Sequence, residues 1–285
     1  MQQRLFSPWW GWVVGMVLGW AVQGPALAVQ PPLRLSAVPL AGAEAMVREF
    51  EPLAKSLTRL GGRPVEFVYM DSHEKVLGAL RAGRIDLAVI GALPYAELVG
   101  LGPGQLSPGT IRPLVRFRQA DGQGTYRCVL VAFPDDGVVL ARAQGLTLGM
   151  ANRLSTCGPL SARKLLSAAG VDWARMHPHY LGHQADVALA VVAGRMRLGA
   201  MNEAVARQHA GLGLQVLART EPLPGFALVV HAQRVDADTR VLLARLLDTP
   251  AAEYSQWGAT IRHGLLPVTD ADYAPVRDLM KAQRP

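Results

Sequence analysis

The stretch VLGALRAGRIDLAVIGALPY, residues 76–95, decides how this chain folds. Residues 76–81 carry the apolar spacing of a helix that packs one face. Gly83 stops the helix. Residues 85–90 are nearly all apolar, as a strand buried on both faces of a parallel sheet must be. Gly91-Ala92-Leu93-Pro94 then turns into a short helix carrying Tyr95. Helix, glycine turn and buried strand in this order belong to an α/β unit with helices on both faces of its sheet. The same plan returns in VALAVVAGRMRLGAMN, residues 187–202. A chain that builds the unit twice is expected to form two α/β lobes, each with a mainly parallel sheet flanked by helices.

Outward from that stretch the alternation continues. Strands are predicted at 33–38 and 65–69, with an amphipathic helix over 43–60 that ends at Gly61-Gly62, and Ser72 as the cap of the next helix. Residues 101–110 are rich in Gly and Pro and read as a surface loop. Strands at 114–118 and 126–133 are expected to pass between the lobes. The second unit follows: strand 146–150, helix 159–169, a strand near His179-Tyr180, helix 184–193, strand 197–201, helix 203–209 and strand 214–218. A strand at 226–231 should return to the first lobe, before C-terminal helices. The expected lobes are 31–118 and 127–217, with 226–285 returning to the first. In open α/β sheets ligands lie beyond the carboxyl ends of the strands. Two facing lobes place that region between them, and closure about the crossing strands is the expected mechanism.

The first residues differ in kind. Arg4 is the only charged residue before an apolar run over 9–22, and Ala26-Leu27-Ala28 is an A-x-A site. This is the outline of a signal peptide, residues 1–28, with a mature chain from Val29 in the periplasm. The other reading is an uncleaved membrane anchor. Half of the 285 residues are apolar and 18% are charged, which suits a globular chain with a real core. The net charge of +7 is scattered as single Arg and Lys, so no nucleic-acid surface is expected; a basic protein that draws in anions is.

The segment from Asn152 to Pro159 carries the clearest chemistry. Ser155 and Thr156 precede a helix that begins around Cys157, Gly158 and Pro159. The first amides of a helix can receive an anion, and its dipole favours negative charge. The hydroxyls add donors, and Gly158 is expected to let a ligand approach. The competing reading is an ordinary Ser/Thr helix cap. Tyr95 either offers its hydroxyl to the cleft or is a packed aromatic. His73 and His183 each stand at a helix start, where either can donate to an anion. No metal-ligand spacing occurs among the histidines, and no nucleophile elbow, P-loop or dinucleotide fingerprint is present. No catalysis, metal or cofactor is expected. Cys128 and Cys157 are either cross-linked, which export permits, or free, with Cys128 buried in a strand.

Several stretches together resemble the phosphate/phosphite/phosphonate-binding proteins of ABC transporters, within the two-lobed type II periplasmic binding fold. They are the Val38-Pro39 turn, EPLAKSL at 51–57, ALRAGRIDLAVIGALPYAELV at 79–99, YRCVLV at 126–131, STCG at 155–158, GHQADVALAVVAG at 182–194, PGFALVV at 224–230 and DYAPVRDLM at 272–280. The resemblance implies a monomer that binds a small oxyanion for a membrane permease. It places the anion cradle on Ser155, Thr156, Cys157 and Gly158. Tyr95 and His183 are implied as ligand residues, as is His73, where many members have tyrosine. Asn202 and Glu203 fall on a segment that lines the cleft. Three departures stand out: Cys157 for a cradle serine, His73 for tyrosine, and Arg197 where the second lobe usually has Asp. A soft thiol in the cradle raises the alternative of a sensor subunit that binds arsenite or arsenate and signals to a membrane histidine kinase.

Overall fold

The computed structural model describes residues 30–101 and 104–284. The signal segment, its A-x-A site and Val29 lie outside them. In chain order the strands and helices are β1 (Leu33–Ala37), α1 (Ala43–Gly61), β2 (Val65–Phe67), α2 (His73–Arg81), β3 (Leu87–Ile90), α3 (Ala92–Ala96), β4 (Ile111–Phe117), β5 (Thr125–Tyr126), β6 (Cys128–Ala132), β7 (Thr147–Met150), α4 (Ser161–Ala168), β8 (His177–Tyr180), α5 (Gln184–Val192), β9 (Leu198–Asn202), α6 (Glu203–Gln208), β10 (Gln215–Arg219), β11 (Leu223–Pro224), β12 (Ala227–His231), α7 (Ala237–Ala244), α8 (Ala251–Tyr254), β13 (Leu265–Leu266) and α9 (Ala274–Ala282).

Two sheets organise the chain. The first has the order β13-β4-β12-β3-β1-β2, the second β10-β6-β9-β7-β8. Within them, β3-β1-β2 and β9-β7-β8 are parallel trios in the same order. The repeated sequence unit therefore has a structural counterpart. The sheets are mixed, however, and not mainly parallel: β12 runs antiparallel to β3 and β4, and β6 antiparallel to β9 and β10. The reason is connectivity. A strand that arrives from the other lobe enters against the direction of the strands already there. Between the sheets, β5 and β11 pair as a short antiparallel ribbon, Leu223 opposite Tyr126. The crossing segments meet there.

Both faces of each sheet are covered. Phe50, Leu53 and Leu57 of α1 pack with Leu33 and Leu35 on one face of the first sheet. Val76, Leu80 and Tyr95 pack with Ile90 on the other. In β6 the alternation is direct: Leu130 and Ala132 join one core, Val129 and Val131 another, as the two-residue period of a strand requires. Helix α1 ends where Gly62 adopts a left-handed φ of 64° and its amide reaches the Thr58 carbonyl at 3.0 Å.

Candidate functional site

A cavity of about 370 Å³ lies between the sheets. Its walls are the segments that follow the carboxyl ends of the parallel strands: Val38 to Leu40 after β1, Gly91 after β3, residues 154–157 after β7, residues 182–185 after β8 and Asn202 at the end of β9. Among its described lining residues none is Arg, Lys, Asp or Glu; the polar groups are histidines, glutamines, hydroxyls and Asn202.

The cradle begins with Asn152, whose side chain accepts from the Leu154 amide at 2.8 Å and whose carbonyl accepts from the Ser155 amide at 3.2 Å. This turns the chain out of β7 and presents Ser155 to the cavity. Ser155 is buried, yet its hydroxyl has no partner among the described residues. A π-turn over Thr156–Leu160 leads into α4. The first amides of such a turn have no intrahelical acceptor.

Thr156 lines the cavity, but its hydroxyl is committed. Its Oγ1 accepts from the Leu93 amide of the first lobe at 3.0 Å. Burial pushes the Tyr126 phenol up to about 12, although the ring keeps some exposure; the nearby Thr156 hydroxyl works the other way. A second link between the lobes is the Gln283 side chain on the Leu160 carbonyl at 2.7 Å.

Four expectations need correction. Gly158 does not line the cavity; a Cβ there would meet the Asn152 carbonyl at 2.7 Å, so the glycine serves the close approach of two chain segments. Cys157 lines the cavity but offers no thiol. It is disulfide-bonded to Cys128, with Cα atoms 5.1 Å apart, and both residues are buried. An accessible thiol there, and the soft-ligand argument for arsenite built on it, fall together. Tyr95 is turned away: its ring packs on Tyr273 at 4.5 Å and its hydroxyl donates to Asp270 at 2.9 Å. Burial, then Asp270, raise that phenol strongly. Glu203 lines a neighbouring cavity instead, and its carboxylate pairs with Arg219 at 2.7 Å and Arg207 at 3.4 Å.

The remaining site residues do converge. His73 opens α2 and His183 stands at the N-cap of α5; each lines the cavity, and each has a buried Nδ1 without a partner among the described residues. Desolvation lowers the His73 imidazole to about 4, nearby Glu74 opposing and His183 adding to the shift, so it is neutral at pH 7. The His183 amide is held by Asp186 at 3.3 Å. Asn202 accepts from the Ala204 amide through Oδ1 at 2.8 Å, leaving its NH₂ end free. The sequence reading missed Tyr126, Gln119, Gln184 and His263, which also line the cavity. Tyr126 had a signal in its place on a crossing strand; the others had none.

Two α/β lobes joined by a crossing ribbon, with a ligand-sized cavity between them, define a type II periplasmic binding protein. The family model described as "ABC transporter, phosphonate, periplasmic substrate-binding protein" matches residues 35–273. The chain belongs to this family. Its place is therefore the periplasm, its role is to bind a small oxyanion between the lobes without chemistry on it, and its membrane partner is an ABC transporter permease. Solved structures agree on the fold. PhnD1 from Prochlorococcus marinus, in complex with methylphosphonate, is similar with a TM-score of 0.73 and 15% identity over 88% of this chain and 97% of that one. A binding protein component of an ABC phosphonate transporter from Pseudomonas aeruginosa gives 0.70 and 19% over 88% and 86%. XAC2383 from Xanthomonas citri, bound to chloride ion, gives 0.72 and 16% over 87% and 96%.

Proposed function

We propose that the protein captures a phosphonate-type oxyanion with the Ser155 hydroxyl, the Thr156 and Cys157 amides, His183 and the Asn202 amide group of the second lobe, and that His73 approaches from the first. The observation that carries this is the convergence on one cavity of polar side chains from both lobes, His73 from the first and Ser155, His183 and Asn202 from the second, with the Ser155 hydroxyl unpartnered among the described residues. A buried oxyanion that loses its water needs several such donors in return. Neutral His73 donates through whichever ring nitrogen keeps its proton. The lobes, read as 31–118 with 226–285 and as 127–217, close about the ribbon of β5 and β11, and the protein acts as a monomer.

Calorimetry of the protein without its first 28 residues tests the reading, with methylphosphonate, phosphite, phosphate and sulfate as titrants. One site per chain for methylphosphonate or phosphite is expected. Heat from none of the four would overturn it. Sedimentation at the same concentrations should give a single species with the mass of one chain.

A further inference from the structure

The charged groups around the cleft are sorted into two compartments. The inner cavity holds no Arg, Lys, Asp or Glu among its described lining residues. A second cavity of about 280 Å³ adjoins it and shares Gln119, Ala120, Tyr126, Asn202 and Ala204 with it. This outer cavity carries Asp121, Arg127, Glu203 and Arg207. Glu203 and Arg207 neutralise each other, with Arg219 also on Glu203. Asp121 and Arg127 form no ion pair among the described residues. Asp121 accepts only from the Gln123 amide at 2.9 Å, and Arg127 gives Nη1 to the Thr220 carbonyl at 2.7 Å, which leaves the rest of its guanidinium fork.

Resting on the oxyanion reading above, we propose that the two cavities form one site for a two-part ligand: a phosphonate head in the uncharged inner cavity and an amino-carboxylate tail in the outer one. The tail carboxylate meets Arg127 and the tail ammonium meets Asp121. An uncharged alkyl tail gains nothing from either group. A tail of one sign satisfies only one of them, whereas a zwitterion satisfies both.

A ligand series on the wild-type protein tests this by calorimetry: methylphosphonate, phosphonopropionate with the carboxylate alone, aminoethylphosphonate with the ammonium alone, and phosphonoalanine with both. Phosphonoalanine should bind at least about tenfold tighter than methylphosphonate, with the singly charged tails between them. In Arg127→Gln the ratio of phosphonoalanine to methylphosphonate affinity should fall towards that of aminoethylphosphonate to methylphosphonate. Methylphosphonate bound as tightly as phosphonoalanine, or tighter, overturns the two-part ligand and leaves the oxyanion reading standing. Binding of none of the four overturns both.

Discussion

Residues 72–91 and 183–202 have one backbone plan and opposite uses of their polar side chains. In the first lobe they are spent on the lobe itself. Ser72 caps α2 by accepting from the Lys75 amide at 3.2 Å. Buried Asp86 accepts from the Arg34 amide at 2.8 Å and pairs with Arg234 at 3.2 Å. Just beyond this stretch, Tyr95 goes to Asp270. In the second lobe the cap position is His183, whose side chain lines the cavity, and Asn202 keeps its amide end open. Arg197, at the place of Asp86, reverses the polarity of the strand link: its amide donates to the Thr147 hydroxyl at 3.1 Å and its guanidinium pairs with Asp136 at 3.0 Å. The departure from Asp thus costs the lobe no link. The difference teaches that this unit serves mostly as a wall in the first lobe, with His73 turned to the cavity, whereas in the second lobe it leaves more of its polar groups open to the cavity.

Changes in the two lobes should therefore separate stability from affinity. The largest effect belongs to the disulfide, which closes a separation of 29 residues and anchors the cradle. Loop entropy alone makes Cys128→Ala/Cys157→Ala about 3–4 kcal/mol less stable. Denaturant unfolding reads that loss, and calorimetry on the still-folded fraction should show weaker anion binding as well. A double variant with wild-type affinity would free the cradle from its anchor in this account.

His73 comes next. Its folded-state pKa, about 4, lies below the ordinary 6.5, so the unfolded chain takes up the proton first as pH falls. Stability from this group is complete above pH 6.5 and is lost as pH falls from there to about 4. At pH 5 the loss is about 2 kcal/mol. Unfolding curves at pH 7.5 and 5 should show His73→Asn losing less than wild type by that amount. Equal losses would place His73 in a more open setting.

Tyr95→Phe should cost about 1 kcal/mol of stability, the net worth of its bond to Asp270, which keeps Arg277 and water, and leave anion affinity unchanged. Altered affinity would bring the first lobe's tyrosine back into the site. The smallest effect sharpens the contrast at the helix caps. His183→Ser installs a good cap and should raise stability by about 0.5–1 kcal/mol while weakening the anion. A gain in stability without loss of affinity would make His183 a bystander.

The sequence made most of this architecture legible because the helix-glycine-strand unit states its own period, and the predicted strands lie within a few residues of those found. The parallel sense was over-read, since a strand's apolar pattern does not tell which lobe it arrived from. At the site, residue types were legible but commitments were not. Thr156 looked like a ligand donor until its hydroxyl met the Leu93 amide 63 residues away, and Tyr95 until its own met Asp270 175 residues away. Cys157 could be read as a thiol because nothing local says that β6 brings Cys128 beside it. Hydroxyls, phenols and thiols are short, and tertiary neighbours decide their use. The place of His73 and His183 on the cavity was easier to read, since each stands at a helix start beyond a strand's end.

The most direct measurement is the affinity of Ser155→Ala for methylphosphonate by calorimetry, beside its melting temperature. The Ser155 hydroxyl has no partner among the described residues, so its removal should leave melting unchanged. It should cost one bond to a charged ligand, about 1.5–3 kcal/mol, or roughly a tenfold to hundredfold loss of affinity. Unchanged affinity with unchanged melting would contradict the claim that the second lobe's cradle holds the anion.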